Sequence, residues 1–249
     1  MSDLVQVARD GQVLSATLSR PEKKNALTGA MYLALVEALA EASRDETVAV
    51  VLLRGRDGVF TAGNDIGDFL AAAGSPQASP GSLFIRALAA FEKPLVAAVD
   101  GPAIGIGTTL CFHCDLVYAA PGARFQMPFV DLGLVPEAGS SLLATQRFGV
   151  ARAAQFLMLA ESFDAAAAHD LGLVNAVVPA EALYAHALGK AQALAAKPRD
   201  ALLVTRRLMR GDPAILRARM DEELRLFGEA VKSPQARAAF LAFMQKARG

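Results

Sequence analysis

The chain has no tryptophan, three tyrosines, two cysteines and no net charge, and each shortage removes a class of explanation. Two cysteines, Cys111 and Cys114, are too few for a disulfide framework. They do form C-x-x-C beside His113 and Asp115, but a zinc site needs a second ligand pair. The expectation is two small buried hydrophobes on a core helix and no metal. Lysine plus arginine and aspartate plus glutamate both count 25, with no basic cluster, which argues against nucleic-acid binding driven by charge. No apolar run approaches the ~18 residues of a membrane-spanning helix, and no signal-peptide pattern opens the chain. A soluble, cytoplasmic protein is expected.

What is present is apolar bulk. Hydrophobic residues make up 53% of 249, enough for one large core and against general disorder. The segment KPLVAAVDGPAIGIGTT (93–109) organises the rest. Leu95 to Val99 reads as a buried strand, Asp100-Gly101-Pro102 as a turn, and a helical pattern follows the glycines Gly105 and Gly107. Unpaired N–H groups at a helix start, with glycines that let a ligand close to the backbone, suit a developing negative charge.

Along the chain, Leu4 to Arg9 and Gln12 to Ser19 flank Asp10-Gly11 and predict a hairpin. Thr28 is placed to cap a helix whose apolar positions are Met31, Leu35, Ala38, Leu39 and Ala42. Val48 to Leu53 is a strand buried on both faces. A helix is expected from about Ile66, a loop over Gly74 to Gly81, and a helix over Ser82 to Phe91. Strands are expected at Asp115 to Ala120, Arg124 to Met127 and Val174 to Val178. Helices are expected at Ala138 to Phe148, Val150 to Ala160 and Asp164 to Leu171, and over nearly everything after Ala180. Pattern alone predicts a doubly wound parallel sheet with a helical cap.

Four segments then agree in order and separation: FTAGNDI (60–66), VDGPAIGIGTTL (99–110), CDLVYAAPGARFQMPFVDLGLVPEAGSS (114–141) and LGLVNAVVP (171–179). Together they resemble the enoyl-CoA hydratase/isomerase (crotonase) superfamily over essentially the whole chain, nearest its Δ3,Δ2-enoyl-CoA isomerase branch. The resemblance implies an α/β spiral of repeated ββα units over residues 1–180 and a helical trimerisation region over 181–249. It implies acyl-CoA thioester substrates in fatty acid metabolism and a homotrimer or dimer of trimers. No cofactor is implied beyond the coenzyme A of the substrate, and no nucleic acid or membrane.

The shared chemistry forms an enolate, whose oxygen is stabilised by two fixed backbone donors. By the resemblance these are the amides of Asn64 and Ile106. Hydratases of the family carry two glutamates. This chain has Thr109 where the first stands and Phe129 where the second stands, and neither is a base. Glu137 in VPEAGSS resembles the single glutamate of the isomerase branch, and Leu134, Val135 and Pro136 should raise its pKa by desolvation. Thr109→Ala is therefore expected to matter little. Asp131 is a possible second titrating group, or a loop hydrogen-bonding residue. His113, His169 and His186 match no base of the family and read as structural.

The same resemblance implies a CoA-ester site at Lys24, Ala26 and Leu27, beside Asn25. It continues at Ala62, Gly63, Asp65 and Ile66 around the first amide, at Phe129, and at Phe243 and Lys246 near the C-terminus. The acyl tail is expected to meet Phe84, Phe129 and the loop from Leu70 to Ser82. The alternatives are a hydratase, another crotonase-type thioester reaction, or a non-catalytic protein that binds CoA esters.

Overall fold

The computed structural model describes residues 4–72 and 79–246, with the side chains of residues 71, 72, 243, 244 and 246 outside that description. Strands β1 (Val5–Asp10) and β2 (Val13–Leu18) pair antiparallel with Asp10 opposite Val13. The two turn residues are thus Gly11 and Gln12, one step later than the Asp10-Gly11 pair, with Gly11 at φ 56°. The other strands are β3 (Val50–Gly55), β4 (Leu95–Val99), β5 (Pro102–Ile104), β6 (Leu116–Ala119), β7 (Arg124–Gln126), β8 (Phe163–Asp164) and β9 (Ala176–Val177).

Six strands form one sheet in the order β1-β2-β3-β4-β6-β9, parallel from β2 onward, and β5-β7-β8 form a second. The parallel pairing expected from pattern is therefore present, but the doubly wound arrangement is not. In a doubly wound sheet the order reverses about the first strand. Here each new strand joins the same edge, so the chain winds in one direction. The cause is local. After β4 the chain turns a corner at Gly101 into β5, and β6 is likewise followed by β7, so each turn gives one strand to each sheet. Gly101 has φ 64°, and a Cβ there would lie 2.1 Å from the Gly58 carbonyl oxygen, so no other residue makes this corner.

Helices α1 (Gly29–Arg44), α2 (Ile66–Ala72), α3 (Pro80–Ala90) and the short α4 (Ile106–Thr109) belong to the winding part of the chain. They are followed by α5 (Ser140–Phe148), α6 (Val150–Met158) and α7 (Ala165–Asp170). The last quarter holds α8 (Ala180–Ala195), α9 (Arg199–Arg210), α10 (Pro213–Ala230) and α11 (Pro234–Lys246). Thr28 caps α1 by accepting from the Met31 amide, and all five apolar positions predicted for that helix are buried. Alternate residues of β3 explain its unbroken apolar run. Val51 and Leu53 face the main core with α1 and α3, while Val50 and Leu52 face Leu183, Ala187 and Ala191 of α8.

Helix α5 begins at Ser140 rather than Ala138, because Ala138 (φ 57°) and Gly139 (φ 72°) are both left-handed. Cys111 and Cys114 are free and buried, and burial pushes the Cys114 thiol up to about 12. Among the described residues no cluster has the makings of a metal site, and no helix is long and apolar enough to cross a membrane.

The segment that positions the site is tied down by Asn25, which is buried and left-handed at φ 52°. Its Oδ1 accepts from the Arg20 amide at 2.7 Å, and its Nδ2 donates to the Val59 carbonyl at 2.6 Å. Asn25→Ala leaves these backbone groups unpaired and loses the side chain that tolerates this conformation. It should destabilise the chain by about 2–4 kcal/mol, read by urea unfolding.

Candidate active site

Three segments distant in sequence are stitched together by backbone hydrogen bonds. The Thr61 amide donates to the Pro102 carbonyl and the Ile104 amide to the Thr61 carbonyl, both within 3.0 Å. The Ala62 amide donates to Lys24, the Leu27 amide to Gly63 and the Asp65 amide to Leu27, at 2.8–2.9 Å. Gly63 has φ 89°, and a Cβ would come within 2.8 Å of the Ile104 carbonyl oxygen, so glycine is required for this approach. Burial works against the Asp65 carboxylate, but the Arg20 guanidinium at 2.7 Å and the Asp68 and Gly67 amides hold its pKa below the usual range.

These bonds leave two amides over. Among the described residues neither the Asn64 N–H nor the Ile106 N–H donates to a protein acceptor. Asn64 lies in an isolated bridge with Leu27 whose bonds use its two neighbours, and Ile106 opens α4 behind Gly105. Both residues line a cavity of about 500 Å³ with Lys24, Ala62, Gly63 and Phe129. Asn64, Phe69 and Phe227 also line a second cavity of about 80 Å³, so the two meet at Asn64.

Glu137 lines the smaller cavity and is 6% exposed. Its Oε1 accepts a hydrogen bond from the Thr109 hydroxyl at 2.6 Å. Burial pushes its pKa up to about 8; the Thr109 bond pulls it down and the Glu223 carboxylate adds to the rise. A carboxyl in this range is able both to accept and to release a proton near neutral pH. The Tyr32 phenol lines the same cavity and donates to Asn64 Oδ1 at 2.5 Å. Burial and the Glu137 carboxyl raise its pKa well above the ordinary value.

A family description for enoyl-CoA hydratase/isomerase matches residues 8–248. The chain belongs to the enoyl-CoA hydratase/isomerase family. It is 35% identical to rat "Enoyl-CoA delta isomerase 2" over 212 residues, 83% of this chain and 54% of the rat protein. The chain thus spans about half the length of that relative. It is 34% identical to "2,3-dehydroadipyl-CoA hydratase" of Escherichia coli over 250 residues, 99% of this chain and 97% of that one. Among solved structures it is similar to OdaA of Pseudomonas aeruginosa, at TM-score 0.94 and 45% identity, covering 98% of this chain and 99% of that one.

Most residues singled out by the family resemblance are brought together. Lys24, Ala26, Ala62, Gly63, Asn64, Asp65, Ile66, Ile106 and Phe129 line the larger cavity, and Leu27, Asn64 and Glu137 the smaller. Three expectations change. Phe84 lines neither cavity; it is fully buried and packs against the Tyr32 ring at 5.6 Å. Asp131 is exposed on the turn Val130–Leu132 and lines neither cavity. Thr109, read as a bystander, is the donor to Glu137. Of the loop from Leu70 to Ser82, Ser79 to Ser82 line the smaller cavity, while residues 73–78 lie outside the described residues. Phe243 and Lys246 lie on α11, and their side chains are likewise outside the described residues.

The three histidines fit structural roles. His113 is buried and its Nε2 lies 2.7 Å from the Ala138 carbonyl; burial lowers its pKa to about 4, so it is neutral and donates. His186 packs on Tyr118 at 4.7 Å, and His169 is exposed beside Asp170. Tyr32 and Glu223 carried no motif and were missed. The helical spacing of Tyr32 with Leu35 and Leu39 is the one sequence signal that points it inward.

The raised pKa has a consequence for stability. An acid whose folded value exceeds its unfolded one holds its proton more tightly when folded. Its contribution is complete below about 4.5 and is lost as pH rises through about 8. Glu137→Gln carries no such loss, so above pH 8 it should melt higher than wild type. The gain is about 2–4 °C for each kcal/mol relieved, and it should shrink toward pH 5 when scanned by calorimetry.

Proposed function

We propose that this protein is an enoyl-CoA isomerase that shifts the double bond of a 3-enoyl-CoA to the trans-2 position. One observation carries the reading: of the buried carboxyl groups among the described residues, Glu137 is the one that lines a cavity shared with an unpaired backbone amide. The Glu137 carboxylate takes the C2 proton of the thioester. The electron pair moves into a dienolate with its charge on the thioester oxygen, accepted by the Asn64 and Ile106 amides. The proton then returns from Glu137 to C4, and the double bond settles between C2 and C3. One carboxyl serves both transfers, and a pKa near 8 suits both.

On this reading the larger cavity takes the pantetheine end, with Lys24 meeting a phosphate, and the smaller one takes the acyl chain. Water addition needs a second acid–base group, and positions 109 and 129 supply a threonine and a phenylalanine. The near full-length similarity to a hydratase keeps hydration as the second reading. We further propose a homotrimer or dimer of trimers. Support comes from exposed Leu208, Met209 and Ile215 at the junction of α9 and α10 and from Val150, Met158 and Leu159 on and beside α6.

With purified protein, cis-3-hexenoyl-CoA should be converted to its trans-2 isomer and crotonyl-CoA should be hydrated slowly or not at all. Rapid hydration of crotonyl-CoA would favour the second reading. Glu137→Gln should lose about 10²–10⁴-fold in kcat. The kcat/KM of the wild type should rise with pH toward about 8 as Glu137 ionises. In Thr109→Val the bond that favours the carboxylate is gone, so this rise should move to higher pH and kcat/KM at pH 7 should fall several-fold. An unmoved profile would reduce Thr109 to packing.

A further inference from the structure

Helix α5 starts without a side chain of its own to cap it, because its N-cap residue is Gly139. The cap comes from far along the chain. Glu223 of α10 accepts from the Gly139 amide at 2.6 Å through Oε2, and from the Ser141 amide at 3.0 Å and the Ser141 hydroxyl at 2.5 Å through Oε1. The same helix packs Leu216 and Met220 against Gly139, where a Cβ would meet Leu216 Cδ1 at 2.4 Å. Its Leu224 and Phe227 line the cavity that holds Glu137.

We propose that Glu223 is a positioning residue for the base: its carboxylate locks the left-handed Ala138–Gly139 step that aims Glu137 into the cavity. This rests on the assignment of Glu137 as the base. The Ala138–Gly139 peptide, one residue beyond Glu137, is clamped on both sides. His113 donates to the Ala138 carbonyl, and Glu223 receives the Gly139 amide. Ala138 at φ 57° is a conformation a non-glycine residue holds only when its surroundings over-determine it.

A cap for stability alone does not need a buried charge. Glu223 is 4% exposed, and burial pushes its pKa up against the pull of its three neutral N–H and O–H donors and of Arg219, all of which favour the carboxylate. Desolvating a carboxylate in this way is costly, and a neutral acceptor would fill the same role at lower cost. The charge does what a neutral cap cannot. A carboxylate strengthens the bonds it accepts, and its field favours the protonated form of Glu137. The other titratable and charged groups on these two carboxyls are few. Glu137 shares its cavity with the Tyr32 phenol of α1 and the Asp68 carboxylate of α2. Arg219 of α10 acts on Glu223 and lies 3.4 Å from the Ser141 hydroxyl, and His113 is neutral.

The test reads the protonation of Glu137 without turnover, from the infrared band of its protonated carboxyl, assigned by its loss in Glu137→Gln. In Glu223→Gln the titration of that band should move to lower pH, and kcat should fall about ten- to a hundred-fold at little changed KM. In Glu223→Asp, which keeps the charge on a shorter stem, the titration should stay near its wild-type position while kcat still falls. An unmoved titration in Glu223→Gln, or unchanged kcat in Glu223→Asp, would overturn the proposal; the second readout decides alone if Glu223→Gln does not fold. Full activity in Glu137→Gln would instead overturn the assignment of the base, and it is told apart because the infrared titration needs no catalysis.

Discussion

A carboxyl buried in an apolar cavity is stable only if it stays neutral or finds donors, and among the described residues Glu137 finds one, the Thr109 hydroxyl. The rest of the site follows from that constraint. With one donor the charged form is disfavoured, so the proton affinity rises to a range where a carboxyl exchanges protons at neutral pH. Held at 2.6 Å by Thr109, the carboxyl is also fixed in orientation. The amides of Asn64 and Ile106, which find no protein acceptor among the described residues, line the adjoining cavity, and fixed donors of this kind are valuable where negative charge develops.

The winding of the chain produces this juxtaposition. The strand-to-strand corner at Gly101 sends β5 away from the main sheet, and Thr61 pairs with it on one side, so the Asn64 and Ile106 backbones come to one cavity wall. The helical last quarter is coupled to the same point. Arg206 and Arg210 of α9 hold Asp115 at the start of β6, and Glu223 of α10 holds the start of α5. The C-terminal helices are therefore mechanically part of the site whatever they contact beyond this chain.

Much of this was readable from the sequence, and the reasons for the gaps are physical. Hairpin, capped first helix, buried strands and late helices all announce themselves by local pattern, within a few residues of their true ends. The family motifs marked Asn64, Ile106 and Glu137 because backbone and base chemistry demand fixed spacing. Contacts between distant residues left no such trace. The Tyr32–Asn64 bond joins positions 32 apart, Thr109–Glu137 positions 28 apart, and Gly139–Glu223 positions 84 apart. Thr109 was discounted because it is no base, yet a donor to the Glu137 carboxyl needs only a hydroxyl. The helix expected from about Ala138 starts at Ser140, because contacts distant in sequence hold Ala138 and Gly139 left-handed.

The most direct test follows the proton. A 3-enoyl-CoA carrying deuterium at C2, turned over once in ordinary water, should yield trans-2-enoyl-CoA with part of the deuterium at C4, because one buried carboxyl takes and returns the same proton. Absence of deuterium at C4, with the abstracted deuteron in water, or a 3-hydroxyacyl product, would contradict a single carboxyl that takes and returns the same proton.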